Sequence, residues 1–265
     1  MTLKVLRASQ LDFDTWRLVT SLYSSDPLSH AYLLYDLIYE LKCTDVHFCL
    51  REGKLIGYVL VWRGASVVGV HVWGEVEPLL HALPRGEKAV FQLHSSGHLH
   101  KVLRVLENCN LQVRHFLDMV ADESSFSPYY EELATRLCES IAEHVLEYAK
   151  LKESEGIKLP LEAAKSKLRK WRYYGVFVDG KLVSVACAYV RLPEVWIIGD
   201  VYTHPSYRGR GYAKIATSAI TRDAVVSGAK AYLHVEENNA PAIRVYEKLG
   251  YKVLRKRPWV FTSPS

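Results

Sequence analysis

Hydrophobic positions recur along this chain with two periods, and the switches between them mark its elements. Residues 12–23 and 27–42 carry apolar side chains at helical spacing, as in Tyr32, Leu33, Leu37, Ile38 and Leu41, and predict two helices. Strand-like runs follow at 46–51 and 55–62, flanking Glu52-Gly53-Lys54, a hairpin signal. Residues 66–74 read as a third strand, 76–83 as a short helix, 88–93 as a strand, 98–106 as a helix and 111–120 as a long strand.

The second half repeats this order. Residues 139–150 and 161–170 predict helices, and 173–178 and 181–190 predict strands around Val178-Asp179-Gly180-Lys181. A strand at 194–203, a long helix at 209–226, a strand at 231–236, a helix at 240–249 and a strand at 251–261 complete it. Arg51-Glu-Gly-Lys-Leu-Ile-Gly-Tyr-Val and Val178-Asp-Gly-Lys-Leu-Val-Ser-Val-Ala hold the same place in each half. A repeat of more than about 100 residues means duplicated domains rather than a solenoid. The Ser-rich, acidic stretch 122–128 is the expected linker, giving domains 1–125 and 126–265. Early hairpins and late crossovers predict an α/β (α+β mixed) fold, each domain a mixed, mostly antiparallel sheet flanked by helices.

Composition adds little to this outline, but charge does. Residues 1–135 hold 12 Lys/Arg and 16 Asp/Glu, whereas residues 136–265 hold 22 and 13. A basic half suggests an anionic partner. Two basic clusters stand out, Lys165–Arg172 and Arg255-Lys-Arg257. The five cysteines are scattered and show no disulfide framework. Cys43-x3-His47-x-Cys49 lacks a second ligand pair at zinc spacing, and His94, His98 and His100 read as a solvated loop before a helix, so no metal is expected. No run approaches the roughly 18 apolar residues of a membrane helix. The opening has no apolar stretch before a cleavage site, so a cytoplasmic protein with no membrane partner is expected.

The strongest chemical signal is Asp200-Val-Tyr-Thr-His-Pro-Ser-Tyr-Arg-Gly-Arg-Gly-Tyr-Ala-Lys214. A strand ends, Pro205 stops it, and Arg208-Gly209-Arg210-Gly211 feeds a long helix. Glycines permit positive φ and close approach, and successive N–H groups at a helix start form an anion nest. This loop suits a pyrophosphate. It matches neither G-x4-G-K-[ST] nor G-x-G-x-x-G, because Lys214 stands where the third glycine would be.

The pattern Arg208-x-x-Gly211-x-Ala213 resembles the Q/R-x-x-G-x-G/A loop of the GNAT superfamily of acyl-CoA-dependent N-acyltransferases. Asn239-Ala-Pro-Ala-Ile-Arg-Val-Tyr246-Glu-Lys-Leu-Gly250-Tyr resembles its later motif, with Asn and Tyr seven residues apart. The likeness covers roughly residues 136–261 and is closest to two-domain, FR47-like and glycine N-acyltransferase-like members. In residues 1–120 only the element order is shared. There Glu75-Val-Glu-Pro-Leu-Leu replaces the glycine nest, and its carboxylates would repel a pyrophosphate. The resemblance therefore implies one acetyl-CoA-binding catalytic domain and one degenerate, supporting copy.

The resemblance also implies roles. Val201, Tyr202 and Thr203 would pair with the pantetheine, with the Val201 N–H polarising the thioester carbonyl. Arg208, Gly209, Arg210, Gly211, Tyr212 and Ala213 would hold the pyrophosphate, and Asn239 would touch the pantetheine or cap its helix. Tyr246 would be the general acid. His234 falls where some members place a catalytic Glu, and its intrinsic pKa suits base work; Glu236, Asp200 and a water relay are the other candidates. The expected reaction is direct attack by a primary amine on acetyl-CoA in a ternary complex. The alternative is a non-catalytic module in which the basic half binds CoA or nucleic acid. Nucleic acid is not the expected partner, and the acceptor's identity and the oligomeric state are not legible.

Overall fold

The computed structural model describes residues 3–107 and 109–264. It divides into two compact units, Met1–Leu117 with Arg255–Ser265, and Asp118–Leu254.

In the first unit, α1 (Phe13–Ser25) and α2 (Pro27–Tyr39) begin at acidic caps. Asp12 accepts from the Thr15 amide at 2.8 Å, and Asp26 accepts from the Ser29 amide at 3.1 Å. Pro27 occupies the first turn of α2, where its missing N–H costs nothing. The sheet contains β1 (Leu3–Arg7), β2 (Thr44–Arg51), β3 (Lys54–Trp62), β4 (Val68–Gly74) and β5 (Ala89–Leu93), in that order. It is antiparallel except for the β4–β5 pair. Strand alternation splits the core. Phe48, Leu50, Tyr58 and Leu60 pack with Val19, Leu33 and Leu37 of the two helices. Cys49, Val59, Val61, Val70, Val72 and Phe91 pack with Leu79 of a short 3-10 helix (Glu77–Ala82) and Val102 of α3 (Leu99–Val105).

The second unit contains, in sheet order, β11 (Lys230–Glu236), β10 (Val195–Thr203), β9 (Lys181–Arg191), β8 (Arg172–Val178) and the two-residue β7 (Thr135–Arg136). Only β10–β11 is parallel among β7 to β11. Tyr173, Val185 and Cys187 pack with Tyr148 and Leu151 of α4 (Ala142–Ser154) and with Ala164 and Leu168 of α5 (Leu161–Lys170). The long α6 (Tyr212–Val226) packs on β8, β9 and β10 through small residues such as Ala216, Ala219 and Ala224. Gly228, at φ +85°, ends it. The unit closes with α7 (Ala240–Lys248).

The repeat reaches the backbone angles. Glu52 and Gly53 adopt φ +51° and +74°, and Asp179 and Gly180 adopt +48° and +74°, so the same left-handed two-residue turn closes both hairpins.

Three expectations are revised. β1 and β7 were not anticipated; both are short strands, and β7 has only two residues. The division at 125/126 is displaced. It falls inside β6 (Asn110–Ala121), and residues 255–265, within β12 (Lys252–Ser263), go with the first unit. There β12 pairs antiparallel with β5, Val260 opposite Phe91. The stretch 122–128 is packed inside the second unit. Asp122 accepts from the Ser124 and Ser125 amides at 3.1 Å, and the Ser127 amide reaches the Leu249 carbonyl at 3.0 Å.

Candidate active site

The site of the second unit begins where β10 leaves β11. Val195 to Ile198 pair in parallel with Lys230 to Leu233, and the register then stops although β10 runs on to Thr203. The opening leads into a cavity of about 680 Å³. Its walls are Val201, Tyr202 and Thr203 of β10, the loop with Arg208, Gly209 and Gly211, the first turn of α6, and the face of α7 carrying Tyr246. Gly209 and Gly211 hold φ +78° and +85°, the left-handed region that glycine enters without strain. Gly211 caps α6, so the cavity meets the first-turn N–H groups, which lack intrahelical partners. Among the described residues, four cations line it, Arg208, Lys214, Arg244 and Lys248, and no carboxylate does. The Lys214 ammonium is pinned 3.2 Å from the centre of the Tyr129 ring. A nest of N–H groups, positive-φ glycines and cations with no carboxylate among the described lining residues fits a pyrophosphate.

The anticipated residues are distributed unevenly around this cavity. Val201, Tyr202, Thr203, Arg208, Gly209, Gly211, Tyr212, Ala213, Asn239 and Tyr246 all line it. Arg208 is partly engaged, its Nε donating to the Thr203 carbonyl at 3.2 Å. Arg210 is not on the wall; its guanidinium lies over Tyr207, 5.5 Å from the ring centre. Asn239 caps α7, accepting from the Ala242 amide at 3.3 Å. Tyr246 is 7% exposed, and burial pushes its phenol up to about 12.

His234, Glu236 and Asp200 do not line the cavity. His234 is the first β11 residue beyond the last β10 pair, at the apex of the opening. Its Nδ1 lies 2.7 Å from Asp118 Oδ1, and both side chains are buried. Glu236 ends β11, half-buried. The Asp200 carboxylate meets Lys152 Nζ at 2.6 Å and the Tyr173 hydroxyl at 2.8 Å.

Sequence reasoning missed Lys214, Arg244, Lys248 and Asp118. Arg244 and Lys248 are four apart on α7, hence on one face, a signal that was available. Asp118 lies 116 positions from its partner and carried no local signal.

The remaining motifs resolve differently. Cys43, Cys49, Cys109, Cys138 and Cys187 are free thiols. His94, His98 and His100 do not converge. His94 stacks on His30, His98 Nε2 donates to the Gly74 carbonyl at 2.9 Å, and His100 is exposed. Among the described residues no group of three His, Cys, Asp or Glu is placed to hold a metal, and no helix is long and apolar enough to cross a membrane. The pair Arg255 and Arg257 is no open basic surface. Arg257 is 3% exposed, and Arg255 donates to the Ser29 hydroxyl at 2.7 Å.

The first unit differs, in that among its described residues the corresponding strands β4 and β5 do not part in the same way. Its β4 and β5 pair from Val68–Ala89 to Val72–Leu93, and the His94 amide adds a bond to the Val72 carbonyl at 3.0 Å. The chain then turns at Gly74, φ +72°, and the Glu75 amide bonds to the Ile56 carbonyl at 2.9 Å. A six-residue 3-10 helix stands where the second unit has α6.

Comparison with known proteins agrees with this geometry. Residues 133–251 match the family model described as Acetyltransferase (GNAT) family. No curated protein matches the sequence. The fold is similar to an X-ray structure of a Drosophila protein, with a TM-score of 0.73 at 14% identity over 99% of this chain and 98% of that one. It is similar to a GCN5-related N-acetyltransferase-like protein from Streptococcus suis, TM-score 0.66 at 13% identity over 93% and 97%. It is also similar to a tandem GNAT protein from the clavulanic acid biosynthesis pathway, TM-score 0.61 at 13% identity over 100% of both chains. With the loop and the opening in place, residues 133–251 match the GNAT acetyltransferase family, and the fold of the chain is similar to that of a tandem GNAT protein over its full length.

Proposed function

We propose that the chain is an acetyl-CoA-dependent N-acetyltransferase that acetylates a primary amine, with the second unit catalytic and the first a supporting copy. The observation that carries this reading is the 680 Å³ cavity with two positive-φ glycines, a helix start and four cations, beside strands that have parted. The loop and the α6 N-terminus take the pyrophosphate, with Lys214, Arg244 and Lys248 supplying charge around it. The edge of β10 at Val201–Thr203 takes the pantetheine arm as an added strand would be taken.

The acceptor nitrogen forms its bond to the acetyl carbon as the carbon–sulfur bond breaks. The backbone N–H of Val201 is the donor for the charge that develops on the carbonyl oxygen, a contribution of a few kcal/mol. His234 is the base. Asp118 accepts from Nδ1–H, which fixes the tautomer with Nε2 as the basic nitrogen that takes the proton from the amine. Tyr246 Oη faces the leaving sulfur. At about 12, its phenol lies well above a thiol near 8.5, so it retains its proton and stabilises the thiolate as a hydrogen-bond donor, rather than surrendering the proton outright. An acceptor α-amine, near 7.7–8.0, is neutral far more often at pH 7 than a lysine near 10.4.

Calorimetric titration with acetyl-CoA at two salt concentrations tests the reading. One site per chain, weaker at the higher salt, is expected. Absence of binding, or two equivalent sites, overturns it.

A further inference from the structure

Among the described residues, four other than glycine hold positive φ: Glu52, Tyr130, Asp179 and Asp200. Glu52 and Asp179 are hairpin turns, and Tyr130 precedes a short 3-10 helix. Asp200, at φ +50°, lies within a strand. A left-handed residue there costs about 1 kcal/mol or more and persists only where the surroundings over-determine it.

The strain has a geometric consequence. Gly199 pairs with Cys187 and Tyr202 with Val185, so Asp200 and Val201 stand opposite Ala186 alone, a bulge of two residues against one. The bulge opens two residues past Ile198–Leu233, the last pair joining β10 to β11. Val201 has no register partner on either neighbour and lines the cavity.

The surroundings that hold it are equally specific. Lys152 Nζ donates to Asp200 Oδ1 at 2.6 Å and also pairs with Glu155. The Tyr173 hydroxyl donates to Oδ2 at 2.8 Å, and the Tyr148 hydroxyl sits 2.9 Å from Tyr173 Oη and 3.3 Å from Oδ2. Lys152 is 4% exposed, and both tyrosines are fully buried. Burial pulls the Lys152 ammonium down, but Asp200 and Glu155 outweigh it and raise it, so the cation is kept. A buried ion pair adds little net stability, because desolvation offsets its attraction; what it can supply is a single conformation.

We propose that Asp200 is a positioning residue for acyl transfer. Clamped by Lys152, Tyr173 and Tyr148, it holds the β10 bulge that presents the Val201 N–H to the thioester carbonyl. This rests on the acetyltransferase reading above, and it removes Asp200 from the candidate bases, since its oxygens face the clamp and not the cavity.

The test compares Asp200→Asn, Lys152→Met, their double variant, Asp200→Gly and Asp200→Ala. The expected result for Asp200→Asn and for Lys152→Met is kcat lowered about 10- to 100-fold. KM for acetyl-CoA stays within about threefold, since a donor that acts mainly in the transition state changes kcat. The acid limb of the kcat profile keeps its midpoint. The double variant is no worse than the weaker single one, because both break one clamp. Asp200→Gly, which adopts positive φ freely, retains more activity than Asp200→Ala. The infrared carbonyl stretch of bound 13C-acetyl-CoA moves back toward its solution value. Wild-type kcat in a folded Asp200→Asn, additive losses, or an acid limb that vanishes would overturn the proposal. If Lys152→Met or Asp200→Asn does not fold, the order of Gly and Ala decides. If the wild type binds no acetyl-CoA, the parent reading fails alone. The clamp is then read from the Val201 amide resonance in Asp200→Asn, and an unchanged shift overturns it.

Discussion

The two units run the same elements to opposite ends. In the first, β4 and β5 stay paired to Leu93 and beyond, His98 holds the Gly74 carbonyl, and the turn after β4 is bonded to β3. In the second, β10 and β11 part after four pairs, a bulge turns β10, and a glycine loop feeds a 15-residue helix. Their histidines differ too. His30 and His94 pack among rings in the first unit, where burial lowers both, His30 to about 4. His234 has a buried carboxylate partner. The opening in the second unit is thus a matter of a few backbone conformations at the end of one strand, not of a different architecture.

The sharpest way to break this comparison is at the loop. Gly211→Asp places a carboxylate at the proposed pyrophosphate loop, where the positive φ is tolerated by Asp better than by most residues. Acetyl-CoA affinity is expected to fall by at least about 100-fold with the fold intact, read by calorimetry and circular dichroism. Retained affinity would mean that the loop does not bind the pyrophosphate.

The closed unit is tested at its own glycine. A Cβ at Gly74 would sit 2.0 Å from the Ile56 carbonyl oxygen, and φ is +72°. Gly74→Ala is expected to cost about 2–4 kcal/mol in denaturant unfolding while leaving acetyl-CoA affinity near wild type. An unchanged midpoint would remove the close turn from the account of why this unit is shut.

Tyr246→Phe removes the hydroxyl proposed above as the donor to sulfur. We expect kcat to fall about tenfold with acetyl-CoA affinity within about threefold. An unchanged rate would leave Tyr246 as a packing residue of α7.

The smallest expected effect is on pH. The folded His30 value, about 4, lies below the reference 6.5, so the unfolded chain binds more protons between those values. Stability should therefore fall as pH drops from about 6.5 toward 4, by roughly 1 kcal/mol per unit from His30 at most. His30→Phe should flatten that slope in urea titrations. An identical slope would place the acid sensitivity elsewhere.

Much of the fold was legible because its signals are local. Asp12, Asp26 and Asn239 announce helix starts, the Glu-Gly and Asp-Gly pairs announce hairpins, and the repeat follows from their spacing. The cavity loop was legible for the same reason, since Gly209 and Gly211 must be glycine to hold their angles without strain. That Arg210 lies over Tyr207 rather than on the cavity wall was not legible, because loop composition does not say which arginine turns toward that ring.

By itself, then, the sequence determined the order of elements, the duplication, and which copy carries the positive-φ glycine loop, each decided within a few residues by sterics and hydrogen bonding along the backbone. Only the tertiary structure decided that residues 255–265 join the first unit, that Asp118 meets His234, and that Asp200 is held by Lys152 rather than turned to the cavity. Those outcomes depend on which distant groups are buried together. Removing such groups from water forces each to find a partner wherever the packed chain supplies one, and no local pattern encodes that choice.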